Sequence, residues 1–202
     1  MLTKIKTAIK VQGDNSKEKL GLVHVYTGDG KGKTSASLGL ALRAVGNNLR
    51  VYMIQFLKSG FTGELYSSKK LGFTIEQFGL DALKEKQKHL QEFADKTGRF
   101  TFQPDIQEKD AAMQGLEHSK KIIKSGEFDV VILDEINCVL DKELVPLNEV
   151  VELVKNHGKV ELILTGRDAP KELIEIADYV SVIKRVKHPW QKGIKARKGI
   201  EY

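Results

Sequence analysis

At 202 residues and 22.6 kDa, the chain has the length of one domain whose core forms without disulfides or structural metal. Its 41% hydrophobic and 30% charged content suits a soluble globular protein, and its longest apolar runs, such as Val130–Leu133 and Leu162–Leu164, are far too short to cross a bilayer. A formal charge of +6 and a pI near 9.2 favour polyanionic or acidic ligands, yet no aromatic-interleaved basic platform accompanies the charge, which argues against nucleic acid. The basic residues gather at the two ends, from Lys4 to Lys19 and from Lys184 to Lys198, where a solvated face with frayed tails explains them equally well. One cysteine, Cys138, rules out an internal disulfide framework and suits a reducing compartment. The N-terminus is basic and lacks the apolar core of about 7–15 residues that a secretory signal needs. These features predict a cytoplasmic protein, with a flexible segment over 1–20 and a single domain over 21–202.

Short β-branched runs alternate with helix-like stretches along the chain. Leu22–Tyr26 reads as a strand and Lys33–Val45 as a helix rich in Ala and Leu. Arg50–Phe56 is a second strand, Gly63–Leu71 a helical piece and Phe73–Phe78 a short strand. Asp81–Lys96 is polar and helical, and Gln107–Lys124 is a longer amphipathic helix. Phe128–Leu133 is a buried strand, followed by helix Leu147–Asn156, strand Val160–Thr165, helix Lys171–Ala177 and strand Tyr179–Ile183. Such alternation predicts an α/β fold with a mostly parallel sheet and helices on both faces. Ligands of such sheets bind at the carboxyl ends of the strands. Thr27–Thr34, Gln55–Lys58, Asp134–Glu135 and Thr165–Arg167 should all emerge at that edge.

The stretch from His24 to Ser37, HVYTGDGKGKTSAS, contains the parts of a triphosphate cradle. A hydrophobic strand enters a loop with Gly28, Gly30 and Gly32, and a helix opens near Lys33. Glycines let the backbone turn sharply and aim its N–H groups inward, and the helix N-terminus adds partial positive charge. Lys33 supplies a mobile ammonium for phosphate oxygens, and the Thr34 hydroxyl is a magnesium ligand. The match to G-x-x-x-x-G-K-[ST] departs at one place: the first glycine position falls on Thr27, with Gly28 one residue late. Asp134-Glu135 ends the apolar run Val130–Leu133 as a Walker B carboxylate pair does, though a helix cap or ion pair is the alternative for that pair taken alone.

The wider sequence resembles the P-loop family of ATP:corrinoid adenosyltransferases, and the resemblance implies the P-loop NTPase-like, RecA-like form of the α/β fold. The resemblance runs from about Leu22 to Tyr202. It rests on TGDGKGKT (27–34), LGLALRAVG (38–46), QFLKSG (55–60), VVILDEIN (130–137), LVPLNEVVELV (144–154), LILTGR (162–167), LIEIADYVS (173–181) and VKHPWQKGIKARKGIEY (186–202). The early departure from the ordinary loop is itself the family's form. The resemblance implies transfer of the 5′-deoxyadenosyl group of ATP to Co(I) of a reduced corrinoid, with release of triphosphate, in adenosylcobalamin synthesis or salvage. It implies ATP binding by Gly28, Asp29, Gly30, Lys31, Gly32, Lys33 and Thr34, with Asp29 near the ribose and Arg43 assisting. Arg167 is either a phosphate-side residue or a helix-capping or ion-pairing one. Lys33, Thr34 and Glu135 are the implied catalytic group. Thr34 and Glu135 would hold Mg²⁺ or Mn²⁺, with Asp134 in support.

On the corrinoid side, GRFTFQPD (98–105) resembles the family segment whose aromatics displace the lower axial ligand of cobalt, placing Phe100 and Phe102 there; two ordinary core aromatics is the competing reading. His24, His89, His118, His157 and His188 are dispersed and pair with neither one another nor Cys138 at a metal-ligand spacing, so no zinc site is expected. His188 is either a corrinoid contact or a structural hydrogen bonder, and Cys138 reads as a small packed side chain. The family further implies an electron-donating flavoprotein, a homodimer, and no nucleic-acid or membrane partner. A conventional P-loop ATPase or kinase, and a non-catalytic corrinoid-binding protein, are the rival functions.

Overall fold

The computed structural model describes residues 19–60, 62–79 and 106–201. The expected helix over 81–96, together with Phe100 and Phe102, lies outside the described residues, as does nearly all of the expected 1–20 segment.

Six strands form one parallel sheet: β1 (Val23–Thr27), β2 (Val51–Phe56), β3 (Thr74–Phe78), β4 (Val130–Asp134), β5 (Glu161–Thr165) and β6 (Tyr179–Val182). Their spatial order is β3-β2-β4-β5-β1-β6, and every neighbouring pair is parallel. The connecting helices are α1 (Lys33–Gly46), α2 (Gly63–Leu71), α3 (Ile106–Ser125), α4 (Ile136–Asp141), α5 (Leu147–Lys155) and α6 (Lys171–Ile176). The expected α/β fold with helices on both faces is what forms. None of the described helices is long and apolar enough to cross a membrane.

Strand side chains alternate between two cores, as the two-residue period requires. Val51, Met53, Val130, Ile132 and Ile163 face α1, where Ala41 and Ala44 let the helix approach closely. Tyr52, Ile54, Phe56, Val131, Leu133, Leu162 and Leu164 face the opposite layer and pack on residues of α3, α4, α5 and α6. β2 and β4 are buried along their whole length, and so read as continuous apolar runs. β6 closes one edge and is exposed throughout.

Most strand and helix bounds agree with the sequence reading to within two residues. Two elements were not expected. α4 follows β4 after one intervening residue, and a 3₁₀ turn covers Pro189–Lys192. α4 carries no start signal in the sequence: its N-cap is Glu135 in a left-handed conformation rather than a Ser, Thr or Asn, and it follows β4 almost without a break. The common strand direction brings the carboxyl ends of β1, β2, β4 and β5 to one edge.

Candidate active site

The Thr27–Lys33 loop is shaped by the chain leaving β6. Gly30 N–H donates to the Ile183 carbonyl at 2.8 Å, and Ile183 N–H donates to Thr27 O at 2.8 Å. Gly28 has φ 101°, and a Cβ there would lie 2.4 Å from Ile183 O; one on Gly30 would lie 2.8 Å from the same oxygen. Both glycines are therefore required by a backbone crossing, quite apart from any ligand. Thr27 is still part of β1, buried, and its Oγ1 accepts a hydrogen bond from Ala169 N–H at 3.2 Å. Thr27, where the usual motif has its first glycine, is thus the last residue of β1, and the loop begins at Gly28.

α1 opens with no side-chain cap at Gly32 and no acidic residue in its first turn. Its N-terminal amides and dipole are thus left for an anion. The Lys33 ammonium donates to Gly28 O at 2.7 Å and Gly30 O at 2.8 Å, tying the loop into a ring. Burial pushes Lys33 below the ordinary lysine value, while nearby Glu135 opposes that shift. Arg167 is close enough to act on the charge of both Lys33 and Asp29.

Asp134 is fully buried and accepts four hydrogen bonds. Its Oδ1 takes the hydroxyls of Thr34 (2.9 Å) and Thr165 (2.6 Å). Its Oδ2 takes Gln55 Nε2 (3.1 Å) and Lys58 Nζ (2.7 Å). Thr165 Oγ1 also accepts the Glu135 N–H at 3.0 Å, so one threonine orients both carboxylate residues. Glu135 adopts φ 66°, a conformation uncommon for a residue with a side chain and often found where function fixes the backbone. Its Oε2 accepts the Cys138 thiol at 2.9 Å. Burial, and then that bond, pushes the Cys138 thiol up to about 12, so Cys138 is an inert packed side chain.

A cavity of about 510 Å³ opens above the loop, within the range of small-molecule sites. Asp29, Gly30, Lys31, Gly32, Lys33, Thr34, Glu135 and Arg167 all line it. The donors there and just beneath it are hard oxygens, a hydroxyl and carboxylates, which fit Mg²⁺ or Mn²⁺. Among the described residues no cluster of three or more His, Cys, Asp or Glu makes a self-sufficient metal cage. That suits an ion that takes its remaining ligands from phosphate and water.

The segment after β6 supplies the other wall through Arg185, His188, Trp190 and Glu201. Asp29 accepts Arg185 N–H at 3.1 Å, and that bond holds its carboxyl below the ordinary value. Lys31 pairs with Glu201 at 3.0 Å, and Arg197 binds the same carboxylate. These contacts, the Arg197 hydrogen bond foremost, lower Glu201 to about 2. His188 caps the 3₁₀ turn, its Nδ1 accepting Trp190 N–H at 3.2 Å, which makes it a structural hydrogen bonder on the cavity wall.

Arg43 is placed elsewhere. It is exposed in the last turn of α1, ten residues and about 15 Å of helix from Lys33, and is not among the cavity residues. The N-cap of α6 is Pro170, not Arg167. Sequence reasoning assigned no role to Lys58, Gln55, Thr165, Arg185 or Glu201. The signals for the first three were present in QFLKSG and LILTGR, but their partners come from different strands.

The family model described as ATP:corrinoid adenosyltransferase BtuR/CobO/CobP matches residues 19–202. The corrinoid adenosyltransferase CobA of Salmonella typhimurium is 31% identical over 202 residues, covering 98% of this chain and 94% of the relative. A corrinoid adenosyltransferase of Sinorhizobium is 32% identical over 198 residues, covering 96% and 85%. An uncharacterized protein of Nostoc is 35% identical over 200 residues, with half of its own length covered.

Proposed function

The chain belongs to the ATP:corrinoid adenosyltransferase family, and from that membership we propose how its residues serve transfer of the 5′-deoxyadenosyl group of ATP to a reduced corrinoid. In that reaction Co(I) supplies the electron pair that bonds to C5′ of the ribose, the C5′–O5′ bond breaks, and inorganic triphosphate departs with the bonding electrons. No protein nucleophile is needed. The protein's contribution is positioning and stabilisation of the leaving group.

The observation that carries this assignment is the single cavity in which the loop amides, Lys31, Lys33, Thr34, Glu135 and Arg167 converge. Gly28–Thr34 holds the triphosphate, with amides and the α1 N-terminus facing the charge that grows as C5′–O5′ breaks. Lys33 and Arg167 neutralise phosphate oxygens. Asp29, fixed by Arg185, faces the ribose. Thr34 and Glu135 hold the divalent cation, which when bound supplies further positive charge to the leaving triphosphate. Asp134 acts through Thr34 and Thr165. Arg43 remains an assisting residue only at a distance.

The same proposal includes Phe100 and Phe102 as the apolar face toward the corrinoid, an electron-donating flavoprotein that maintains Co(I), and a homodimer. Incubation with ATP, Mg²⁺ and chemically reduced cobalamin should yield a light-sensitive cobalt–carbon product and equimolar triphosphate. Release of ADP and phosphate would instead make the protein a conventional P-loop ATPase or kinase. Tight corrinoid binding with no product would make it a binding protein.

A further inference from the structure

Lys58 occupies the corner of the site where a divalent cation would meet the Thr34 hydroxyl. Its Nζ lies 2.7 Å from Asp134 Oδ2 and 3.5 Å from Thr34 Oγ1. A third partner stands further off: Glu64 Oε1, at 3.9 Å. The side chain is one-quarter exposed, whereas Asp134 beneath it is fully buried. An ammonium can therefore leave this corner toward solvent, but the carboxylate cannot follow it.

The backbone is built to deliver the lysine there. Leu57 has φ 56°, a left-handed conformation rare for leucine, and its N–H donates to Phe78 O at 3.2 Å. Gly79, just past β3, approaches so closely that a Cβ would meet Lys58 N at 2.4 Å and Lys58 O at 2.5 Å. A Gln77–Gln55 bond of 3.0 Å completes the frame, with Gln55 Nε2 reaching both Asp134 and Glu64 at 3.1 Å. Strained turn, glycine crossing and glutamine pair all converge on one ammonium.

We propose that Lys58 is a resident cation that holds the Thr34–Asp134 corner of the nucleotide-free protein, and that a divalent metal entering with its nucleotide displaces it toward Glu64. This rests on the reading that Thr34 and Glu135 hold the metal. Two cations cannot share the corner without strong repulsion in a partly buried site. Free metal ion must expel the ammonium unaided, whereas a metal–triphosphate complex brings anionic oxygens that receive it. Lys58 is thus a positioning residue that makes metal loading depend on nucleotide.

The test is a titration of the nucleotide-free full chain with Mn²⁺, read by the electron paramagnetic resonance of free Mn²⁺ and by melting temperature. Wild type should bind free Mn²⁺ weakly. Lys58→Met should bind it at least about 10-fold more tightly and gain a Mn²⁺-dependent rise in melting temperature, because the competing charge is gone. Lys58→Arg should track wild type, and the gain should vanish in Lys58→Met/Asp134→Asn. Should Lys58→Met fail to fold, Lys58→Gln, which can still donate to Asp134, serves the same comparison. Equal Mn²⁺ affinity in wild type and the neutral variants overturns the proposal. Adenosyl transfer by wild type is measured separately with Mg²⁺, ATP and reduced cobalamin, so loss of the functional reading and loss of this one are told apart.

Discussion

Asp134 takes four hydrogen bonds and has no exposed surface, so its influence passes through the residues it holds. Glu135 differs: it lines the cavity, and the Cys138 thiol and its own backbone N–H to Thr165 anchor it. Glu135→Gln and Thr34→Ala should each lower kcat/KM by about 100-fold or more, the scale of losing one well-placed electrostatic group at a transition state. Steady-state kinetics at saturating Mg²⁺ checks this; a loss confined to KM would assign these side chains to ground-state binding alone. On the proposed function Glu201 acts in the opposite sense, because its carboxylate sits on the wall of the cavity proposed to take triphosphate and engages Lys31. Glu201→Gln should tighten ATP binding, with the gain shrinking as salt rises, as calorimetry at two ionic strengths would read. The Glu201 value of about 2 lies below its ordinary 4.5. A depressed carboxyl value stabilises above the ordinary value and loses that effect as pH falls. The Lys31–Glu201 tie should therefore weaken between pH 4.5 and 2, visible as acid-induced change in Trp190 fluorescence, and be absent in Glu201→Gln.

The loop between β1 and α1 is the element on which everything else depends, and two of its glycines answer to different demands. Gly28 and Gly32 both have left-handed φ, at 101° and 123°, but only Gly28 is also crowded, by the Ile183 carbonyl. Gly28→Ala should cost more than the roughly 1–3 kcal/mol of a strained φ, since backbone must also move, whereas Gly32→Ala should stay within it. Denaturant unfolding of the two variants checks the order, and equal costs would mean that the β6 crossing yields easily. The crossing also explains why the post-β6 segment belongs to the site: Ile183, Arg185, His188, Trp190 and Glu201 lie over the loop because β6 pairs with β1. β-pairing at the sheet edge thereby builds the second wall of the cavity.

At the scale of the molecule, the sheet gathers four carboxyl ends, and ligand binding there should stabilise the whole domain. With Mg²⁺ and ATP at 100 times Kd, mass action contributes about 2.7 kcal/mol, or roughly 5–10 °C in Tm for a domain of this size. Thermal unfolding with and without Mg²⁺–ATP measures it. Much of this architecture was legible in the residues themselves. Alternating β-branched runs and amphipathic stretches dictate an α/β fold, because strand and helix periods are local properties. The glycine-rich loop before α1 was legible for the same reason, since its glycines, Lys33 and Thr34 are neighbours in the chain. α4 was not, because no Ser, Thr or Asn cap separates it from the apolar run of β4. Nor were the partners of Asp134, which arrive from β2, the β2–α2 connection, α1 and β5, nor the outward placing of Arg43. The sequence by itself determined the element types and the glycine-rich loop, Gly28–Thr34. Only the tertiary structure decided that Lys58 reaches the Thr34–Asp134 corner and that Glu201 returns to Lys31. Those contacts join residues 76 and 170 positions apart, and no local rule of chain geometry specifies them.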